Sequence, residues 1–362
     1  MIVPVRVDLA LIGFGHVGQR FALLLEQRRE LLIRDEGLDC RVVGFTTRHH
    51  GGAFNWQGID CAHARHLPSA SATSLSALDL IEQLRRSAAD LRVVVEATTL
   101  DIHEGQPAID HVRAAIAAGC HVVTANKGPA AFAFAALNDE AAAAGVSFLF
   151  EGAVMDGVPV FNLARETLPV ESVRAFRGVV NSTTNHILTA MENGEEFDAA
   201  LAHMQAEGIA EADASLDIDG WDAAAKTAAL ANVLLGARTS PHAVQRIGIQ
   251  RTDGARARQA LANGRRLKLV ASARRAADGG VSARVEPVEL PATDLLAGLN
   301  GKANALVLET ELLGEIAICQ LEGNLTHTAY ALLSDLVTVG RRQARRAAPA
   351  RRSLLLNGRS RS

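Results

Sequence analysis

Cysteine is scarce. The 362-residue chain has four, Cys40, Cys61, Cys120 and Cys319, far apart. No CxxC occurs, which argues against zinc ribbons and thioredoxin-like redox motifs. Reduced thiols in a cytoplasmic enzyme are the expectation. No apolar run reaches the ~18 residues of a membrane span. The first residues, Met1 to Arg6, put no basic segment ahead of an apolar one, so no secretory signal is read there. Lysine is scarce in another sense. Only four of the 37 basic residues are Lys: Lys127, Lys226, Lys268 and Lys302. Arg is the default cation here, and it can neither lose its proton nor act as a compact point charge. A surviving Lys therefore gains interest wherever a motif also holds it.

The charge is uneven. Lys+Arg 37 against Asp+Glu 40 gives −3. Residues 341–362 carry eight Arg and no acid, which leaves −11 on the rest. An acidic body does not resemble a nucleic-acid binder. The Arg-rich stretch 341–362 reads as a disordered, solvated tail. Hydrophobic residues at 48% and charged residues at 21% fit a soluble globular chain. At roughly 100–200 residues per domain, the length predicts two or three domains.

The first 150 residues alternate. The apolar run from Val7 to Ile12 meets Gly13-Phe-Gly15-His-Val-Gly18, then a helical pattern over 19–32 and a strand over 41–46. Further strands are expected over 91–97, 121–124 and 146–150, and helices over 109–118 and 130–144. Strand, glycine loop, helix, strand is the nucleotide-binding unit. The fold class is α/β: a Rossmann-type doubly wound parallel sheet over 1–150 with a second α+β domain over 151–314. In that second part the patterns predict helices over 159–167, 184–192, 197–206 and 222–235, and strands over 172–181, 267–271, 282–288 and 304–310. Residues 315–340, with a helical 328–339, are expected to return to the first domain.

Four stretches carry chemistry. Gly13-x-Gly15-x-x-Gly18 follows a strand and opens a helix, where glycines admit a pyrophosphate to free N–H groups. Gly13, Phe14, Gly15, His16, Val17 and Gly18 are the cofactor candidates there. The second strand ends in Thr46-Thr47-Arg48, with no acid to grip a ribose 2′-OH. Arg48 instead suits a 2′-phosphate, which favours NADP over NAD. Thr124-Ala-Asn126-Lys127-Gly128 sits at the carboxyl end of a parallel strand, where such sheets bind ligands. Asp222 and Lys226 are i and i+4 on one helix face. That pair reads equally well as a surface pair worth about 0.2–0.5 kcal/mol or as a Lys placed to protonate a carbonyl oxygen.

Taken together the chain resembles the homoserine dehydrogenases. The resemblance spans about residues 5–340 and rests on motifs in the family's order: GFGHVGQRF, VVTANKGP, EGAVMDGVPVF, RGVVNSTTNHIL, GIAEADASLDIDGWDAAAKTAAL, Asn304-Ala-Leu306 and TAYALLSDL. It implies the NAD(P)H-dependent interconversion of L-aspartate 4-semialdehyde and L-homoserine, on the route to threonine, methionine and isoleucine. It implies Lys226 as proton donor beside Asp222, Glu211 and Asp217 at the substrate's amino group, and Lys127 at the junction of cofactor and substrate. Thr98, Thr99 and Asn126 join the cofactor set. Glu151, Val154, Asp156 and Val158 match a sodium site built on backbone carbonyls. A homodimer formed through the substrate/dimerisation domain is implied, with no membrane and no nucleic acid as partner.

Three features depart from the family. The glycine-rich turn before the last helix is here Gln320-Leu-Glu-Gly323-Asn-Leu-Thr-His327, with one glycine. The family's Thr-Pro is Thr98-Thr99-Leu100. Many members carry a C-terminal regulatory domain where this sequence has the Arg-rich tail, so feedback through such a domain is not expected. The altered turn speaks for an alternative, an NADP-binding regulator without catalysis; a dehydrogenase of another amino-acid aldehyde is the other.

Overall fold

The computed structural model describes residues 3–49, 51–61, 75–206 and 213–347. The first sheet runs in the order β3-β2-β1-β4-β5-β6. Its strands are β1 (Val5–Ile12), β2 (Leu38–Thr46), β3 (Gly52–Phe54), β4 (Leu91–Glu96), β5 (His121–Thr124) and β6 (Phe148–Leu149). All neighbours are parallel except β3, which pairs antiparallel with β2. Strand β1 shows why this sheet sits in the middle of its domain. Val7, Leu9 and Leu11 join the core on one face, and Ala10 and Ile12 join the core on the other. A strand apolar on both sides belongs in a sheet covered on both faces. The helices α1 (His16–Leu31), α2 (Ala77–Arg85), α3 (Ala108–Ala117), α4 (Gly128–Phe132) and α5 (Phe134–Ala144) accompany it. The expected single helix over 130–144 is two, because Ala133 leaves helical geometry at φ −137°, ψ 15°. The break sets Phe134 edge-on to Phe150, 5.6 Å between centroids.

After the short α6 (Val160–Asn162) and a wider π-type turn over Leu163–Thr167, the second part is α+β, as expected. It contains β7 (Val173–Val179), α7 (Ser182–Glu192), α8 (Phe197–Ala206), α9 (Ser215–Ile218), α10 (Trp221–Leu234), β8 (Gln245–Arg246) and α11 (Asp253–Ala262). Then come β9 (Arg265–Arg275), β10 (Val281–Pro291), β11 (Asn304–Thr310) and β12 (Glu315–Gln320). The sheet order is β12-β11-β7-β9-β10-β8. Helix α10 packs against β9 and β10 on one side and α4 on the other. Its Ala223, Ala224, Ala225, Ala228, Ala229 and Ala231 are all buried. Small side chains let this helix run between the two halves, so one core continues from the first sheet into the second.

Two expectations about the C-terminal part are corrected. Residues 315–320 do not return to the first domain; β12 pairs antiparallel with β11 in the second sheet. Only the last helix, α12 (Leu325–Ala347), crosses back, burying Leu332, Leu336 and Val339 in the core it shares with α1. The Arg-rich stretch is not a solvated tail from its start. Helix α12 continues to Ala347, Arg341 pairs with Glu36 at 2.6 Å, Arg342 with Glu166 at 2.6 Å, and Arg346 donates to the Gly145 carbonyl at 2.7 Å. Residues 348–362 lie outside the described residues.

Candidate active site

The glycine turn connects β1 to α1 at the point where the strand order reverses, between β1 and β4. Open sheets of this kind take their ligands there. The N–H groups of Gly13 and Phe14 both donate to the Thr46 carbonyl, at 3.0 and 3.1 Å. Phe14 is buried and stacked on Phe45, 4.2 Å between centroids, so its ring anchors the loop. Gly13 sits at φ +92°, and a Cβ there would lie 2.5 Å from the Ala97 carbonyl oxygen. A Cβ on Gly18 would collide with the Gly13 carbonyl. Gly15 is different: nothing lies within 4 Å of its Cβ position. The loop is thus tight below and open above. Helix α1 starts there with no side-chain cap and no acid in its first turn. The first N–H groups of α1, at His16, Val17 and Gly18, have no partner within the helix, and they favour an anion. This cradle fits a dinucleotide phosphate. Arg48 is exposed just beyond β2.

Across the switch point, one residue not foreseen from the sequence organises the loops. Glu96, the last residue of β4, is fully buried. Thr98 donates its backbone N–H at 3.0 Å and its hydroxyl, and Thr124 donates its hydroxyl at 2.7 Å. Burial pushes its carboxyl above the usual range, against these donors. Asn126 is also buried. Its amide donates to the Thr98 carbonyl at 3.1 Å and the Thr99 carbonyl at 3.4 Å, and its oxygen accepts the Gly128 N–H at 2.8 Å. Asn126 therefore clamps the Thr98-Thr99 loop to the Lys127 turn. A Glu inside the apolar run LRVVVE is the signal that could have found this cluster.

Lys127, Asp222 and Lys226 meet at one point. Asp222 pairs with Lys127 at 3.0 Å through one oxygen and with Lys226 at 2.7 Å through the other. The three side chains are 20%, 16% and 17% exposed, which removes the surface-pair reading. Taking one partner from a buried pair costs about 3–5 kcal/mol, far above an exposed helix pair. Lys226 also donates to the Val180 carbonyl at 2.7 Å. Asn181 caps α7 by accepting the Thr184 N–H at 2.9 Å, and its amide donates to Asp217 at 2.7 Å and to Asp222 at 2.9 Å. Burial works to raise the Asp222 pKa, but Lys127 and Lys226 outweigh it and hold it below the usual carboxylate range. Burial alone would lower Lys226; the Asp222 carboxylate outweighs it, with help from Asp156 and Asp217, so Lys226 keeps its proton. Asp217 is pushed up, first by burial and then by the Asp222 charge. An ammonium has three N–H donors. The two bonds described leave Lys226 one for a substrate oxygen.

Glu211 lies outside the described residues. Asp217 shares the Asn181 amide with Asp222. In the loop 151–158, where the resemblance puts a sodium site on backbone carbonyls, the acidic side chains are held by protein donors. The Glu151 carboxylate accepts the N–H groups of Phe161 at 2.8 Å and Asn162 at 2.6 Å. Asp156 accepts from Gln320 at 3.0 Å and Thr328 at 3.2 Å. The Val158 carbonyl accepts the Val160 N–H at 2.8 Å, and Val154 is fully buried. Among the described residues no group of three or more His, Cys, Asp and Glu could hold a metal ion. Among them too, no helix is long and apolar enough to cross a membrane.

Comparison with known proteins gives one answer for both halves of the chain. Residues 13–151 match the family described as homoserine dehydrogenase, NAD binding domain, and residues 159–337 match homoserine dehydrogenase. A protein of Pseudomonas canavaninivorans named NAD(+)-dependent homoserine dehydrogenase is 36% identical over 335 residues, 91% of this chain and 95% of its own length. The homoserine dehydrogenase of Methanocaldococcus jannaschii is 33% identical, covering 92% of this chain and 98% of its own. The structure of a homoserine dehydrogenase from Thiobacillus denitrificans superposes with a TM-score of 0.80 at 30% identity, over 96% of this chain and 76% of that one. A hyperthermophilic archaeal homoserine dehydrogenase solved in complex with NADPH gives 0.76 at 27%, over 93% and 98%. With the glycine cradle, the buried Lys127–Asp222–Lys226 centre and these matches over both halves, the chain belongs to the homoserine dehydrogenase family.

Proposed function

We propose that this chain interconverts L-homoserine and L-aspartate 4-semialdehyde, with Lys226 as the proton donor to the developing alkoxide. A nicotinamide dinucleotide, when bound, supplies or accepts the hydride. The free N–H groups of α1 would hold its phosphates. Lys226 offers its remaining N–H to the aldehyde oxygen in reduction and takes the hydroxyl proton back in oxidation. Asp222 keeps Lys226 charged and, through Lys127, fixes it against the cofactor side. Asp217 and Glu211 are assigned to the substrate's ammonium group. The observation that carries this reading is the buried Lys226 with one donor uncommitted.

The finer assignments belong to the same reading. NADP is favoured by the end of β2, where no acid stands and Arg48 is exposed; one relative named NAD(+)-dependent points the other way. The homodimer, the cytoplasmic setting and the threonine, methionine and isoleucine pathway rest on the resemblance. So does sodium at the 151–158 loop. There the carboxylates of Glu151 and Asp156 are taken by protein donors, so a cation would rely on backbone carbonyls.

Lys226→Ala tests the central role. General acid–base groups contribute about 10²–10⁴-fold, so turnover should fall by about that much while the dissociation constant for NADPH stays within two- to three-fold. Retained turnover, or loss of cofactor binding with intact folding, contradicts the assignment.

A further inference from the structure

The altered turn at 320–327 and the loop at 155–157 are built against each other. Gly157 lies so close that a Cβ would sit 2.6 Å from the His327 carbonyl oxygen. A Cβ on Gly323 would sit 2.6 Å from the Asp156 carboxylate. Met155 and Asp156 both hold positive φ, +55° and +50°, which side-chain-bearing residues rarely adopt. Such a backbone persists where its surroundings over-determine it. Here the surroundings are hydrogen bonds. Thr328 at the start of α12 and Gln320 at the end of β12 each donate to one Asp156 oxygen. Gln320 in turn accepts from Asn304 at 3.3 Å, and Asn304 donates to Ser182 at 2.8 Å. Gln320 and Asn304 are both buried. Ser182 directly follows Val180 and Asn181, the residues that hold Lys226, Asp217 and Asp222. The chain of bonds therefore runs from the helix on the first sheet to the reaction centre on the second. The Asp156 charge also reaches Lys226.

We propose that Asp156 is a positioning residue for the reaction: by tying Thr328 to Gln320, its carboxylate sets the Lys226–Asp222 centre at its working distance from the glycine cradle. The strap stands in for the glycine-rich turn the sequence lacks. The inference rests on the reaction proposed above, and its test separates the two. Steady-state kinetics are measured for the wild type, Asp156→Ala, Gln320→Ala, the double variant and Asp156→Asn, with thermal midpoints alongside. The expected result is a kcat at least ten-fold lower in each alanine single, with KM for cofactor and aldehyde within about three-fold. The double variant should be no worse than the poorer single, since both cut one strap. Asp156→Asn keeps the shape and part of the bonding, so it should recover part of kcat. If Asp156→Ala fails to fold, Gln320→Ala and Asp156→Asn carry the comparison. Unchanged kcat, or losses that add in the double variant, overturn the assignment. An inactive wild type overturns the reaction itself.

Discussion

Asp222 spends one carboxylate on two ammonium groups, and that economy explains why lysines survive in a chain that otherwise uses Arg. Two of the four Lys converge on it. A guanidinium is a wide planar fork with no proton to give at ordinary pH, which suits neither the close contact at Lys127 nor the donor role proposed for Lys226. Lys268 shows the same rule in a structural setting. It is fully buried in β9 and donates to Asn185 at 2.9 Å and to the Leu299 carbonyl. Burial and the nearby Arg266 push its pKa down to about 8. The scarcity of Lys was therefore a readable signal. Asn181 was not: nothing in its neighbours in sequence announces that its amide reaches Asp217 and Asp222, 36 and 41 positions away. On the proposed reading, cofactor choice turns on Arg48. A charge-assisted contact to a phosphate contributes about 1.5–3 kcal/mol, so Arg48→Ala should raise KM for NADPH about ten-fold or more and leave KM for NADH nearly unchanged. Equal changes for both cofactors would remove Arg48 from that role.

At the scale of the element, α1 and α12 face each other across one core and serve opposite ends of the site. Helix α1 has an uncapped start, to which the proposed function assigns the cofactor's phosphates. Gly15→Ala isolates that function, because the added methyl meets no protein atom within 4 Å. The thermal midpoint should stay within a degree or two while cofactor affinity falls at least ten-fold. Unchanged affinity would mean that the phosphates lie elsewhere. Helix α12 buries Asp335, which accepts the Glu151 N–H at 2.8 Å. Burial pushes Asp335 up to about 6; burial and the neighbouring Asp335 charge push Glu151 up to about 7. Folded values above the ordinary 4.5 and 3.8 mean that the native state holds protons the unfolded chain has released. That contribution is full below about pH 4 and is lost as pH rises through 6 and 7. The thermal midpoint should therefore fall between pH 5 and 8, and Asp335→Asn should flatten the fall. A slope equal to the wild type's would show that the pair is not its source. Strand β12 shows where element type was legible but placement was not. In Glu315–Gln320, Ile316 and Ile318 alternate with exposed Glu315, Ala317 and Cys319. One-sided alternation belongs to an antiparallel sheet, not to one covered on both faces.

The whole molecule is two sheets bridged by α10 and tied by α12. The central strands of the first sheet were legible because they carry short apolar runs, Leu9–Ile12, Val93–Val95 and Val122–Val123, with glycine in the turns around them. The second was legible only as a mixture, since its central strand β7 pairs with residues far along the chain, Val179 with Ala305 and Phe176 with Ala273. The site inherits that division. The cradle can be read from a local motif, whereas the Lys127–Asp222 contact joins residues from opposite halves and depends on α10 packing against α4. Hydride transfer at that seam is the central claim, and NAD(P)H oxidation by the purified protein with L-aspartate 4-semialdehyde tests it most directly. The account predicts rapid oxidation that requires the aldehyde, seen first with NADPH and compared with NADH. No oxidation with either cofactor, in a protein that still binds one of them, would contradict it.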